Sequence, residues 1–108
     1  MKMIRAVMYW ERLRLEEEGH AGYAEKGKDI VCSAASMLTG ALAGALEEAE
    51  DRGRCEYKAK MGEGRAIIWA NPAIGSVQEI KAYFKMAVKG YRMLQEQYPG
   101  YVTIREVR

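Results

Sequence analysis

His20, the chain's one histidine, and Cys32, one of its two cysteines, stand twelve positions apart in the stretch GHAGYAEKGKDIVC. An imidazole beside a thiol is a general base beside a nucleophile, the pair that drives acyl transfer through a thioester. Asp29 precedes an alanine-rich run with apolar residues at helical spacing, so it has the type and place of a helix N-cap. Cys32 then falls at the third helical position, where unpaired N–H groups and the helix dipole favour a thiolate. Fully extended, the intervening segment could reach well beyond about 30 Å, so it can fold back and join the two residues. Gly22 and Gly27 loosen its backbone, and Ala21 to Lys28 shows neither strand nor helix periodicity. From spacing alone two readings stand side by side. One is a catalytic pair joined by a lid loop; the other is a plain connector followed by a small core cysteine.

Other candidates are weaker. Cys55 opens an alternating strand and reads as packing, and no resolving cysteine stands near Cys32 in sequence for redox chemistry. One His and two distant Cys do not make zinc-ligand spacing, so no metal is expected. Gly19, Gly22 and Gly27 do not match the dinucleotide fingerprint and there is no Walker loop, so no cofactor is expected either. Tyr83, Tyr91 and Tyr98 read as core and interface rather than as a platform for bases.

The elements that would position the pair follow from periodicity. Met1 to Met8 and Arg12 to Glu18 read as two strands with a tight connection; Leu13 and Leu15 alternate with Arg12, Arg14 and Glu16. Val31, Ala35, Leu38, Leu42, Ala45 and Ala49 predict a helix running to about Asp51, ended by Arg52 and Gly53. Ser36, Gly40 and Gly44 form a small-residue stripe on its other face. Helical glycines cost about 1 kcal/mol each relative to alanine, so a neighbouring element or a second copy of the chain is expected to pack closely there. Cys55 to Met61 and Arg65 to Ala70 are strands joined by the GEG hairpin. Ser76 and Glu79 suggest the capping box of a second helix, with Ile80, Phe84, Ala87, Tyr91 and Leu94 as its buried stripe. A last strand spans Tyr101 to Val107. The order β-β-α-β-β-α-β implies an α+β two-layer sandwich: a mostly antiparallel five-stranded sheet with two helices on one face.

A chain of 108 residues fits one domain. Its formal charge of +2 comes from 17 basic and 15 acidic residues, interleaved as in ERLRLEEE, which suits a solvated surface better than a nucleic-acid footprint. The N-terminus lacks the apolar core of a signal peptide, and no window approaches the eighteen or more consecutive apolar residues of a membrane span. These features predict a cytoplasmic protein with reduced thiols and no membrane partner.

At Gly19 to Leu38 the sequence GHAGYAEKGKDIVCSAASML closely resembles the signature of the ribosomal-processing cysteine protease Prp (YsxB-like) family. That signature is G-H-A, a glycine-containing loop, then G-x-D-I-V-C, two small residues, any residue and Ser. Length and element order also agree along the whole chain. The resemblance implies an endopeptidase with a Cys–His dyad, in which Cys32 is the nucleophile and His20 the general base. It implies supporting positions at Asp29 and Ser36, and an active-site loop of Ala21, Gly22, Tyr23, Ala24, Glu25, Lys26, Gly27 and Lys28. It implies a homodimer. The implied substrate is a ribosomal protein precursor, the large-subunit protein number twenty-seven, whose N-terminal extension would be removed; similar sites on phage structural proteins are an alternative target. No direct nucleic-acid contact is required for that reaction. Helix geometry adds an expected oxyanion hole at the Val31 and Cys32 N–H groups. For Asp29, a cap and an orienter of His20 compete, the cap being explained by position alone. A competing class is a non-catalytic ribosome-associated or RNA-binding module, which an α+β fold and mild positive charge would equally suit.

Overall fold

The structure is a computed structural model that describes residues 2–25 and 29–108. Strand alternation sets its layers. In β1 (Ile4–Tyr9), Ile4, Ala6 and Met8 are buried, whereas Arg5 is exposed. The same period-two burial runs through β2 (Arg14–Glu18), β3 (Cys55–Gly62), β4 (Arg65–Pro72) and β5 (Val102–Val107). Two helices, α1 (Ile30–Asp51) and α2 (Val77–Gln97), complete the order β1-β2-α1-β3-β4-α2-β5. The α+β sandwich and the mostly antiparallel sheet are as the sequence predicts.

The strands are arranged β3-β4-β2-β1-β5. Hairpins join β1 to β2 and β3 to β4 antiparallel, and β2 pairs antiparallel with β4. The edge strand β5 arrives after α2 and lies parallel to β1, as a helical crossover allows. Both helices pack on the face that carries Ile4, Met8, Leu15 and Ile68, α1 over β3 and β4, α2 mainly over β5. Val31, Leu42 and Leu46 from α1 meet Ile80, Phe84 and Tyr91 from α2 in one core. Each such side chain contributes roughly 1.5–3 kcal/mol of burial energy. Where the helices approach, a Cβ built on Gly90 would lie 2.3 Å from the Leu38 side chain, so glycine sets their separation.

The opposite sheet face carries charge in rows. Arg5, Glu18 and Arg65 stand side by side across β1, β2 and β4, and Tyr9, Arg14 and Trp69 form another row. The Arg14 guanidinium sits 5.7 Å from the Trp69 ring centroid. Alternating signs and amphipathic stems keep this face compatible with water.

Three expectations change. Ser76 caps α2 without a side-chain bond, and Glu79 instead binds the Tyr83 hydroxyl and Arg52; the capping box loses its carboxylate to a stronger, charge-assisted partner. By length and mean hydropathy, α1 is the one helix among the described residues that could cross a membrane. The consecutive-apolar criterion passes over it because Ser, Thr and Gly interrupt the run. In this fold it is a core helix, with Val31, Leu46 and Ala49 fully covered. Finally, outside the helix's own backbone no described atom comes within 4 Å of a Cβ built on Gly40 or Gly44, so no other element among the described residues packs at these two glycines.

Candidate active site

The site is assembled where β2 ends, α1 begins and the β3–β4 hairpin turns. Gly19 leaves β2 with φ +102°, and a Cβ there would lie 2.2 Å from the Met3 carbonyl oxygen, so only glycine fits the exit. Its N–H donates to the Gly64 carbonyl at 2.8 Å, which ties the strand end to the hairpin. His20, the next residue, is exposed, and its ring lies over Gly64: a Cβ on Gly64 would be 2.7 Å from Nε2. The hairpin glycine therefore serves as the floor on which the imidazole rests.

Asp29 organises the other half. It is buried, yet its carboxylate accepts four backbone bonds. Oδ1 takes the Val31 and Cys32 N–H groups at 3.0 and 2.9 Å, and Oδ2 takes Tyr23 at 2.9 Å and Ala24 at 3.4 Å. Burial by itself would raise its carboxyl, but the N–H bonds from Cys32, Tyr23 and Ala24 outweigh it and hold it below the usual carboxylate range. Asp29 thus caps α1 and fastens the loop, and among the described residues both its oxygens are committed to backbone rather than to His20. The loop's first half is further held by the Tyr23 ring, edge-on to Tyr98 and Tyr101 at 5.4 and 5.2 Å. Lys26, Gly27 and Lys28 of the expected active-site loop lie outside the described residues.

Cys32 is half-buried on the first turn of α1 and borders the same cleft as His20. Its Sγ accepts the Ala21 N–H at 3.3 Å, one residue past the histidine. The expected thiolate-favouring environment is overturned. Burial pushes the thiol above its ordinary range; the Ala21 N–H opposes this, but the Asp29 and Glu17 charges add to it. Burial is the main reason, and the cap adds to it by setting a carboxylate at the positive end of the helix, against what the dipole supplies. The same cap consumes the Val31 and Cys32 N–H groups that helix geometry offered as an oxyanion hole. Ala21 is the donor that lies at the sulfur instead.

The cleft holds about 830 Å³. Ile4, Met37, Met61 and Ala66 supply its apolar wall, while Ser33 and Ser36 border it from α1. Ser36 stands one turn beyond Cys32, exposed along the same side of the helix. Among the described residues, no group of three or more His, Cys, Asp or Glu side chains gathers as a metal site. Cys55 is buried and points its thiol at the Leu46 carbonyl at 3.7 Å, a packing position.

A family model described as "Cysteine protease Prp" matches residues 3–103. The chain belongs to that family. It is a cysteine protease, and the cleft between His20 and Cys32 is the place to look for its chemistry. Among solved structures it is similar to SMU.848 from Streptococcus mutans, at 31% identity and TM-score 0.73 over 98% of this chain and 95% of that one. It is also similar in fold to the essential ribosomal processing protease Prp from S. aureus. With a covalently linked product peptide, that protein matches at 17% identity and TM-score 0.75, covering 99% of this chain and all (100%) of the other. With a substrate peptide it matches at 16% and 0.70, with 99% and 100% covered. No curated protein sequence matches the chain.

Sequence reasoning passed over two features. Gly64 read as hairpin punctuation, and only the three-dimensional approach of His20 gives it a role. Glu17 did carry a signal: Leu13, Leu15 and Glu17 share one face of β2, so its carboxyl interrupts an apolar stripe. It is half-buried there and borders the cleft.

Proposed function

We propose that the chain is a ribosomal-processing endopeptidase in which Cys32 attacks and His20 transfers protons. The observation that carries this is the Ala21 N–H bonded to the Cys32 sulfur, which brings the residue next to His20 onto the nucleophile at the mouth of a peptide-sized cleft. Burial and the neighbouring carboxylates hold the thiol above its ordinary range. His20 therefore acts as a general base that removes the proton as Cys32 attacks the scissile carbonyl. The imidazolium then protonates the leaving amine, and water activated by His20 hydrolyses the thioester. As the donor nearest the sulfur, the Ala21 N–H is suited to the oxyanion. Ala21 to Glu25, the described part of the expected active-site loop, borders this centre.

The substrate we infer is the N-terminal extension of large-subunit ribosomal protein number twenty-seven, processed in the cytoplasm. The resemblance of GHAGYAEKGKDIVC to the family signature and the processing role of the S. aureus relative support that reading. A homodimer is part of it: Met37 is 69% exposed and Gly40 and Gly44 face open space, an apolar stripe suited to a second copy. A peptide spanning the extension of the host's own precursor tests the function. Cleavage should survive Cys55→Ser and vanish in both Cys32→Ala and His20→Ala. Persistence of cleavage in either of the last two would sink the dyad.

A further inference from the structure

Glu17 is a carboxyl where the sheet should be apolar. On the core face its cross-strand neighbours are Ala6 in β1 and Ala66 in β4, both buried and both too small to cover it. Ala66 and Glu17 both line the cleft, so the carboxyl is reached from it. From α2, the fully buried Tyr91 donates its hydroxyl to Glu17 Oε1. Among the described residues no second donor reaches the carboxyl, and neither Lys2 nor Arg65, which also border the cleft, pairs with it. The proposed dyad chemistry makes no use of this group.

A carboxyl held on one side by Tyr91 and bordering the cleft on the other, beside apolar lining, has the form of a side-chain pocket. Ile4, Ala66, Met37 and Met61 offer apolar surface for a long stem, and Glu17 offers an acceptor for its tip. We propose that Glu17, held by Tyr91, is the specificity-determining acceptor of a subsite that takes a substrate side chain ending in N–H donors, lysine or arginine foremost. Leaving such an acceptor unmatched in a closed cleft is costly, so substrates with an apolar tip at this position are selected against. Burial raises the empty pocket's carboxyl, partly offset by the Tyr91 bond, and an arriving cation favours its charged form. The other charged or titratable groups that line the cleft with Glu17 are Cys32 from α1, its cap Asp29, His20 at the end of β2, Glu63 and Arg65 from the hairpin, and Lys2 before β1.

The proposal rests on the cleft being the substrate site, and its test does not require cleavage. In a Cys55→Ser background, Cys32 is labelled with three methanethiosulfonates: trimethylammonium-ethyl, sulfonatoethyl and methyl. In each case the Cys32 thiolate attacks the divalent sulfur, a disulfide forms and methanesulfinate leaves. The methyl reagent corrects for any change in the thiol itself. With Glu17 present, the cationic reagent should react on the order of tenfold faster than the anionic one at pH 8, where a neighbouring charge differs in sign for the two. Glu17→Gln should cut that ratio at least several-fold, the methyl rate tracking the change in the thiol that loss of the Glu17 charge brings, while the circular dichroism stays near that of the parent. A second measurement needs no variant at position 17: the ratio should climb with pH as Glu17 ionises, and climb later in Tyr91→Phe, which removes the bond that favours the ionised carboxyl. A ratio that is flat with pH, or unchanged in folded Glu17→Gln, overturns the subsite. Discrimination by charge in a protein that cleaves no peptide would leave the subsite standing and remove the processing role.

Discussion

Three residues decide whether the site can work, and each acts through a different force. His20 depends on Gly64 having no side chain: Gly64→Ala would place a methyl within 2.7 Å of Nε2 and strain a backbone at φ +72°. We expect peptide cleavage to fall at least about tenfold, since misplacing a general base removes much of its contribution. A thermal melt should remain cooperative, and an unchanged kcat/KM would show that the ring does not need this floor. Asp29 depends on its four N–H partners, and Asp29→Ala should destabilise the fold by about 1–2 kcal/mol, as for other lost caps, read from urea midpoints. The same substitution should increase Cys32 alkylation by iodoacetamide at neutral pH, because a carboxylate that raises the thiol is gone. In the parent, alkylation of Cys32 should stay slow at neutral pH and rise steeply through the alkaline range. A fast plateau at pH 7 would contradict a raised thiol.

At the scale of elements, α1 does two jobs on opposite faces. Val31, Leu42 and Leu46 bind it to the sheet, and its N-terminal turn presents Cys32. The small-residue stripe serves neither purpose, which gives it a separate prediction. If the chain were a monomer, Gly44→Ala would only add helix propensity, about 1 kcal/mol of stability. If a second copy packs there, Gly40→Arg should dissociate it, seen as a halved mass by light scattering. Between the helices the constraint is steric: Gly90→Leu overpacks against Leu38 and should cost about 1–3 kcal/mol.

At the scale of the whole molecule, two carboxyls give stability opposite slopes with pH. The Asp29 carboxyl is depressed in the fold, so its contribution is fully present above the unfolded carboxyl range and is lost as pH falls below about 4. Glu17 is raised, so the fold binds its proton more tightly than the unfolded chain does. Its contribution is fully present below about pH 4.3 and is lost as pH rises through the folded value. Glu17→Gln should therefore flatten the decline in urea midpoint between pH 4.5 and pH 7.5. A decline as steep as the parent's would mean that Glu17 does not cause it.

Much of this protein was legible in the residues alone. Strand alternation, the Asp29 cap and the stripe of α2 determine the elements, because each depends on local periodicity or on bonds within a few positions. The family followed from GHAGYAEKGKDIVC, whose spacing is itself a local property. What the tertiary structure decided is everything that depends on through-space neighbours. The parallel pairing of β1 with β5 joins residues almost a chain length apart. The Cys32 thiol is raised because burial and the Asp29 cap meet at the start of α1. Gly64 under His20 and Tyr91 on Glu17 are contacts between distant segments, and no periodicity encodes them. Sequence determined which groups could do chemistry; the fold determined their charge, their support and what they face.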